Sequence, residues 1–271
     1  MLRRSRTLSA LVLATALVLA ACSSDTKTPT SVGSSAGAPA SSAAPKVSGS
    51  VTVFAAASLT ESFNDEQTTL KTEEPGLSIT YSFAGSGALV TQIQQGAPAD
   101  VIATADTASM QKLTDAGLVE APVTFAKNKL EIFVAPGNPK QIKGLSDLGR
   151  SDIQFVTEED TVPAGKYSAQ ALSAAGVTVN PVSKELDVKS AVAKVTSGEA
   201  DATIVYVTDV TAAGSKGTGV PIPEAQNVTA EYPIAIVKAT KSHDAAAAFI
   251  DAIVKGSGQT ALYNRGFLPP T

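Results

Sequence analysis

Cysteine, histidine and arginine are scarce in this chain, and each shortage closes off a kind of chemistry. Cys22 is the single cysteine, so no internal disulfide can form and a thiolate metal site has too few ligands. His243 is the single histidine. A serine hydrolase built on Ser58 or Ser86 would need a base, yet His243 sits beside Ser242 and Asp244 at the start of the last predicted helix and reads as a surface residue. There is no G-x-S-x-G elbow, and the glycine-rich stretch GSKGTG (214–219) lacks the spacing of a nucleotide phosphate loop. Past residue 21 the arginines are Arg150 and Arg265, which leaves no Arg–Asp clamp for an amino-acid ligand. No repeat of fixed period is present, and no apolar run after residue 21 is long enough to cross a membrane.

The first 22 residues, MLRRSRTLSALVLATALVLAAC, place Arg3, Arg4 and Arg6 ahead of an apolar stretch, Leu8 to Ala21. That stretch is short for a membrane span and has the layout of a secretory signal. Its end, Leu19-Ala20-Ala21-Cys22, resembles a bacterial lipobox, which implies cleavage before Cys22 and lipidation of its sulfur. Residues 1–21 are therefore expected to be a signal peptide, and the mature protein to be extracytoplasmic and lipid-anchored to the cell membrane. Removing them takes away three arginines and no acid, which moves the formal charge from −4 to −7. A chain this acidic does not suit nucleic acid. Residues 23–48 are mostly Ser, Ala, Pro, Thr and Gly and bury nothing, so residues 22–48 read as a lipidated cysteine on a disordered tether averaging about 25–30 Å end to end.

From residue 49 onward, strand and helix signals alternate. Strands are predicted at 51–56, 77–84, 100–105, 129–137, 151–159, 201–207 and 232–238. Helices are predicted at 59–73, 87–95, 109–117, 163–176, 188–198 and 244–256. In the first helix Leu59, Phe63 and Leu70 share a face, and in the fifth Val188, Val192 and Val195 do. Alternation of this kind predicts an α/β fold with a mainly parallel sheet, whose ligands bind where strands end and helices begin.

Four such corners carry small residues: Ala57-Ser58, AGSGA (84–88), TVPAGKY (161–167) and ELDVKS (185–190). Helix N-termini offer unpaired N–H groups and partial positive charge, so each corner suits an anion. Each also has a plainer reading. Ser58-Leu59-Thr60-Glu61 fits the capping box S-x-x-E, so Ser58 is expected to cap its helix while keeping a proton to donate. Gly85-Ser86-Gly87 reads as a turn, Pro163-Ala164-Gly165 as an ordinary helix start, and Asp187 as a cap that leaves Val188 first in its helix.

Together the corners say more. VFAAASLTESF, FAGSG, QGAPADV, VPAGKY, ELDVKSAVAKV, IVYVTD and EYPIAIV follow one another in an order that closely resembles the periplasmic molybdate-binding proteins of ABC transporters, from Val51 to Phe267. The resemblance implies a type II periplasmic binding protein: two α/β lobes joined by two crossing strands. Lobe one would be 49–128 plus 233–271, and lobe two 129–232. It implies molybdate binding through the hydroxyl and N–H of Ser58 and of Ser86, the N–H of Ala164, the N–H of Val188 and the hydroxyl of Tyr206. Relatives often carry serine in place of Gly85 or Gly87. The implied protein has no cofactor, no cation site and no enzyme activity. It binds molybdate or tungstate without a counterion, acts as a monomer, and serves an ABC permease with its ATPase. Lys166 and Lys189 flank two corners but are expected to face solvent, and Asp187 to point at its own helix. The alternatives are the same fold holding another oxyanion such as sulfate, and a purely structural surface lipoprotein.

Overall fold

The structure, a computed structural model, describes residues 47–270. The expected signal segment, Cys22 and nearly all of the tether lie outside the described residues.

Strand β1 (Gly49–Ala56) runs between β2 (Leu77–Ala84) and β3 (Val101–Ala103), parallel to both. Its side chains alternate between two packed faces, as the period of a strand requires. Val51, Val53 and Ala55 join Phe63 and Leu70 of helix α1 (Thr60–Glu73) and Phe249 of α7 (His243–Lys255) in one core. Phe54 and Ile102 join Leu89, Val90 and Ile93 of α2 (Ser86–Gln94) and Met110 and Leu113 of α3 (Thr107–Asp115) in a second. With both faces covered, β3 and the end of β1, Val53 to Ala56, are continuous apolar runs, as buried parallel strands are.

Two long strands then tie this lobe to another. Strand β4 (Val123–Val134) pairs with β9 (Thr229–Ile236) through its first half. Its second half, from Leu130, pairs with β7 (Ala202–Tyr206) and β8 (Thr218–Pro221). Strand β9 in turn ends against β3. The second lobe adds a short parallel pair, β5 (Val156–Glu158) and β6 (Ser183–Glu185), which touches β7 through a bridge between Phe155 and Ala202. Helices α4 (Pro163–Ala174), α5 (Val188–Thr196) and α6 (Val207–Ala213) belong to it. Helix α8 (Gly258–Asn264) returns to the first lobe and packs on α1. The fold is thus α/β, with two lobes joined by two crossing strands.

The expectation of a mainly parallel sheet is corrected here. Among the strand pairs of the described residues, β2-β1-β3 and β5-β6 are parallel, whereas β3-β9, β9-β4, β4-β7 and β4-β8 are all antiparallel. The cause is topological. Strand–helix–strand crossovers within a lobe give parallel neighbours, but the outbound and return strands between lobes run in opposite directions.

Candidate functional site

Four helix starts converge at the carboxyl ends of these strands. Strand β1 ends in Ala55-Ala56, and a single 3-10 turn, Ala57–Leu59, precedes α1. Strand β2 ends at Ala84, and Ser86 opens α2. Pro163 opens α4 with Ala164 behind it, and Val188 opens α5. The first N–H groups of a helix find no partner within it, so these corners aim main-chain donors at a common point. Proline at the first position of α4 is tolerated because its missing N–H is one the helix does not use.

That common point is one small cavity. It is lined by Ser58, Ser86, Ala164, Val188 and Tyr206, together with alanines 56, 57, 84 and 105, Gly85, Val162, Pro163 and Asp187. All five residues singled out in the sequence therefore meet there. The room for the centre of a water-sized sphere is about 10 Å³. A space this small suits one compact anion rather than a larger organic ligand. The alanines keep side chains out of this space. Among the described residues, no lysine or arginine lines it.

The hydroxyls are set up as donors. The Ala105 N–H donates to Ser86 Oγ at 3.0 Å, so the Ser86 proton is left to point elsewhere. Ser58 Oγ lies 2.9 Å from the Tyr232 hydroxyl; with Tyr232 donating, the Ser58 proton is free as well. The Tyr206 hydroxyl is buried and has no hydrogen-bond partner. Burial pushes the Tyr206 and Tyr232 phenols well above their ordinary pKa, so both keep their protons throughout the physiological range. An edge-to-face contact with Tyr232, ring centres 5.8 Å apart, fixes the Tyr206 ring. Tyr232 is packed in turn, edge to face, on Phe125 and Phe267.

The acids near the cavity are engaged elsewhere or buried behind it. Asp187 Oδ1 accepts from the Ser190 N–H at 2.9 Å and so caps its own helix, as expected. Glu158, just behind the second lobe's corners, is fully buried with neither carboxyl oxygen partnered. Burial raises its pKa well above the carboxylate range, and the nearby Asp209 and Asp187 charges add to the effect. Lys166 Nζ lies 3.7 Å from Asp106, and Lys189 Nζ lies 2.7 Å from Glu61 and 3.1 Å from Asp209. Neither lysine is simply solvated, and neither lines the cavity.

One expectation fails at Ser58. It makes no capping bond; α1 begins two residues later at Thr60, and the Glu61 carboxylate goes to Lys189 instead of reaching back. The intervening 3-10 turn displaces the helix start from the register the S-x-x-E pattern assumes, which leaves the Ser58 side chain to Tyr232 and the cavity. His243 is well exposed and pairs with Glu120 at 3.0 Å; the structure does not bring it to either serine. The GSKGTG stretch forms a 3-10 turn and β8 rather than a ligand loop.

The profile of the bacterial extracellular solute-binding proteins matches residues 51–268 of the chain. The chain belongs to that family. The molybdate-binding protein ModA of Mycobacterium tuberculosis is 41% identical to it over 235 residues, covering 86% of this chain and 90% of the relative. Among solved structures, the periplasmic molybdate-binding protein of Azotobacter vinelandii superposes with a TM-score of 0.70 at 20% identity, covering 82% of this chain and 100% of the other. The sulfate-binding protein SubI of M. tuberculosis does so with a TM-score of 0.70 at 21% identity, covering 81% and 86%. These two structures share the fold of this solute-binding protein and, at such identity, carry nothing about which anion it takes.

Three features around this cavity went unread in the sequence. Tyr232 stands 174 positions from Ser58, and EYPIAIV signals a strand rather than a hydroxyl partner. Asp209 holds the backbone N–H of Tyr206 at 3.3 Å, through a helix that the β-branched run VTDVT disguises. The third is the closeness of the lobes. A Cβ on Gly85 would stand 2.5 Å from the carbonyl oxygen of Leu186, and one on Gly87 would stand 2.6 Å from that of Thr161. Glycine at these two positions lets the main chains of the two lobes meet.

Proposed function

We propose that this protein is the extracytoplasmic solute-binding component of an ABC importer, and that it carries molybdate, and tungstate as well, in the cavity between its lobes. The observation that carries the reading is the convergence of Ser58, Ser86, Ala164, Val188 and Tyr206 on one space of single-anion size. Identity of 41% to a molybdate-binding relative supports the choice of anion.

In this reading the donors are the hydroxyls of Ser58, Ser86 and Tyr206 and the N–H groups of Ser58, Ser86, Ala164 and Val188. Molybdate at neutral pH has only acceptor oxygens, so a set made only of donors matches it. Each charge-assisted hydrogen bond contributes about 1.5–3 kcal/mol, and seven together offset the cost of stripping water from a dianion. No counterion takes part, since local dipoles in a dry cleft decide binding and the net charge sets only the far field. Sulfate and phosphate have shorter element–oxygen bonds. Fixed donors would hold them at stretched distances, and a protonated phosphate would bring a hydrogen with no acceptor to meet it.

The lobes, 49–128 plus 233–271 and 129–232, close over the anion, and the membrane permease reads the closed form. The mature chain is a monomer held to the membrane by lipid on Cys22, and it acts as a carrier, not an enzyme. Calorimetric titration with molybdate, tungstate, sulfate and phosphate tests this. Molybdate and tungstate should bind with similar affinity and sulfate at least about 100-fold more weakly. Equal affinity for sulfate and molybdate would overturn the choice of anion, and no binding of any oxyanion would leave a structural lipoprotein as the better account.

A further inference from the structure

The cleft is spanned by an ion-paired cluster that the anion-binding set does not use. Glu61, in the first turn of α1, belongs to the first lobe; Lys189, in the first turn of α5, and Asp209, in α6, belong to the second. The Lys189 ammonium stands 2.7 Å from Glu61 Oε2 and 3.1 Å from Asp209 Oδ1. About a third of the Glu61 and Lys189 side chains is exposed, while the Asp209 side chain is fully buried.

The cluster's connections give it a place in the binding cycle. Lys189 follows Val188, which lines the cavity and opens α5. Asp209 Oδ2 accepts from the N–H of Tyr206, a residue that lines the same cavity. Both of these lobe-two contacts are thus tied to one lysine. That lysine reaches the first lobe only through Glu61, since Asp209 lies on its own lobe. Separation of the lobes would break the Glu61 contact and leave the Asp209 contact whole.

We propose that Glu61 and Lys189 form a latch across the cleft: an ion pair made only when the lobes are closed, which slows release of the bound anion without touching it. This rests on the reading of the cavity as an anion site over which the lobes close. Lys189 has a second task in the open form, where it neutralises buried Asp209 and keeps that charge from the anion's approach. The two partners therefore differ. Loss of Glu61 removes the latch alone, whereas loss of Lys189 also strands a buried carboxylate, with a cost to folding. Lys166 and Asp106 make a looser pair across the same cleft, 3.7 Å apart with Lys166 42% exposed, and a solvated pair of that kind adds little.

Glu61→Gln is accordingly the variant to test, because it keeps the side chain's shape and stays within a helix. Stopped-flow release of molybdate should be about five-fold faster than from the wild type. Added sodium chloride should speed release from the wild type and have less effect on the variant, since the screened contact is already gone. The melting temperature of the molybdate-free variant should match that of the wild type, which a merely structural ion pair would not allow. In Lys189→Met, adding Glu61→Gln should speed release no further. Unchanged release from Glu61→Gln, with molybdate still bound, would overturn the latch and leave the anion site standing. A lowered molybdate-free melting temperature with unchanged release would assign the pair to stability alone, which also overturns it. A wild-type protein that binds no molybdate would remove the anion reading and the latch with it.

Discussion

Replacing Tyr206 with phenylalanine should weaken molybdate binding by about 10- to 150-fold, the loss of one hydrogen bond to a charged acceptor. The fold should not suffer. The Tyr206 hydroxyl is buried, makes no well-formed hydrogen bond among the described residues and stands beside the Tyr232 hydroxyl, which keeps Ser58 as its partner when the Tyr206 hydroxyl is removed. The phenylalanine ring can keep the edge-to-face contact with Tyr232. The variant without ligand should melt no lower than the wild type, while the extra stability that molybdate confers should shrink. Calorimetry and thermal unfolding on the same samples check both halves. An unchanged dissociation constant would mean that the hydroxyl does not face the ligand.

A larger loss, about 100-fold or more, is expected from Val188→Pro, which deletes a main-chain donor and puts ring carbon in its place. Few backbone N–H groups can be removed so cleanly. Val188 is the first residue of α5, where proline is well tolerated and the N–H has no role in the helix. Asp187 before it has φ −165° and ψ 169°, an extended conformation of the kind that proline imposes on its predecessor. Its cap to the Ser190 N–H is unaffected by the change. Val188→Ala is the control, since it keeps the N–H and should bind almost as tightly as the wild type. Circular dichroism should report the same helix content in all three proteins. Tight binding by the proline variant would place the anion away from the α5 start.

The parts of this protein written locally in the sequence were legible, and the parts written across it were not. Three alanines and a serine at a strand end, or a proline and a glycine around Ala164, mark a corner that a ligand can approach, because the residues that allow approach are the ones next to it. The Asp187 cap is equally local, with Ser190 three residues on. By contrast, the Ser58 capping reading used a genuine pattern but assumed an α-helical first turn. The turn is 3-10, and Ser58 answers to a tyrosine on the return strand. The expected parallel sheet failed for a similar reason. Alternating strand and helix signals describe each lobe, but the passage between lobes is made by β4 and β9, whose antiparallel pairing has no local marker. Strand β4 is also longer than predicted, since VTFAKN breaks the apolar pattern where the strand crosses between lobes. Lys189 was expected to face solvent. Its partners, Glu61 and Asp209, lie 128 residues before it and 20 after it, so nothing adjacent in sequence announced the cluster.

The central claim is that a molybdate ion sits among these five residues and is held by neutral donors alone. X-ray diffraction at the molybdenum absorption edge, from crystals of this protein grown with molybdate, tests it most directly. One strong anomalous peak should appear in the cavity. The oxygens around it should lie within hydrogen-bond reach of the hydroxyls of Ser58, Ser86 and Tyr206 and of the N–H groups of Ala164 and Val188, with Lys166, Lys189 and the Asp187 carboxylate outside that shell. A peak elsewhere on the molecule, or an anion in direct contact with a lysine or with Asp187, would contradict the account.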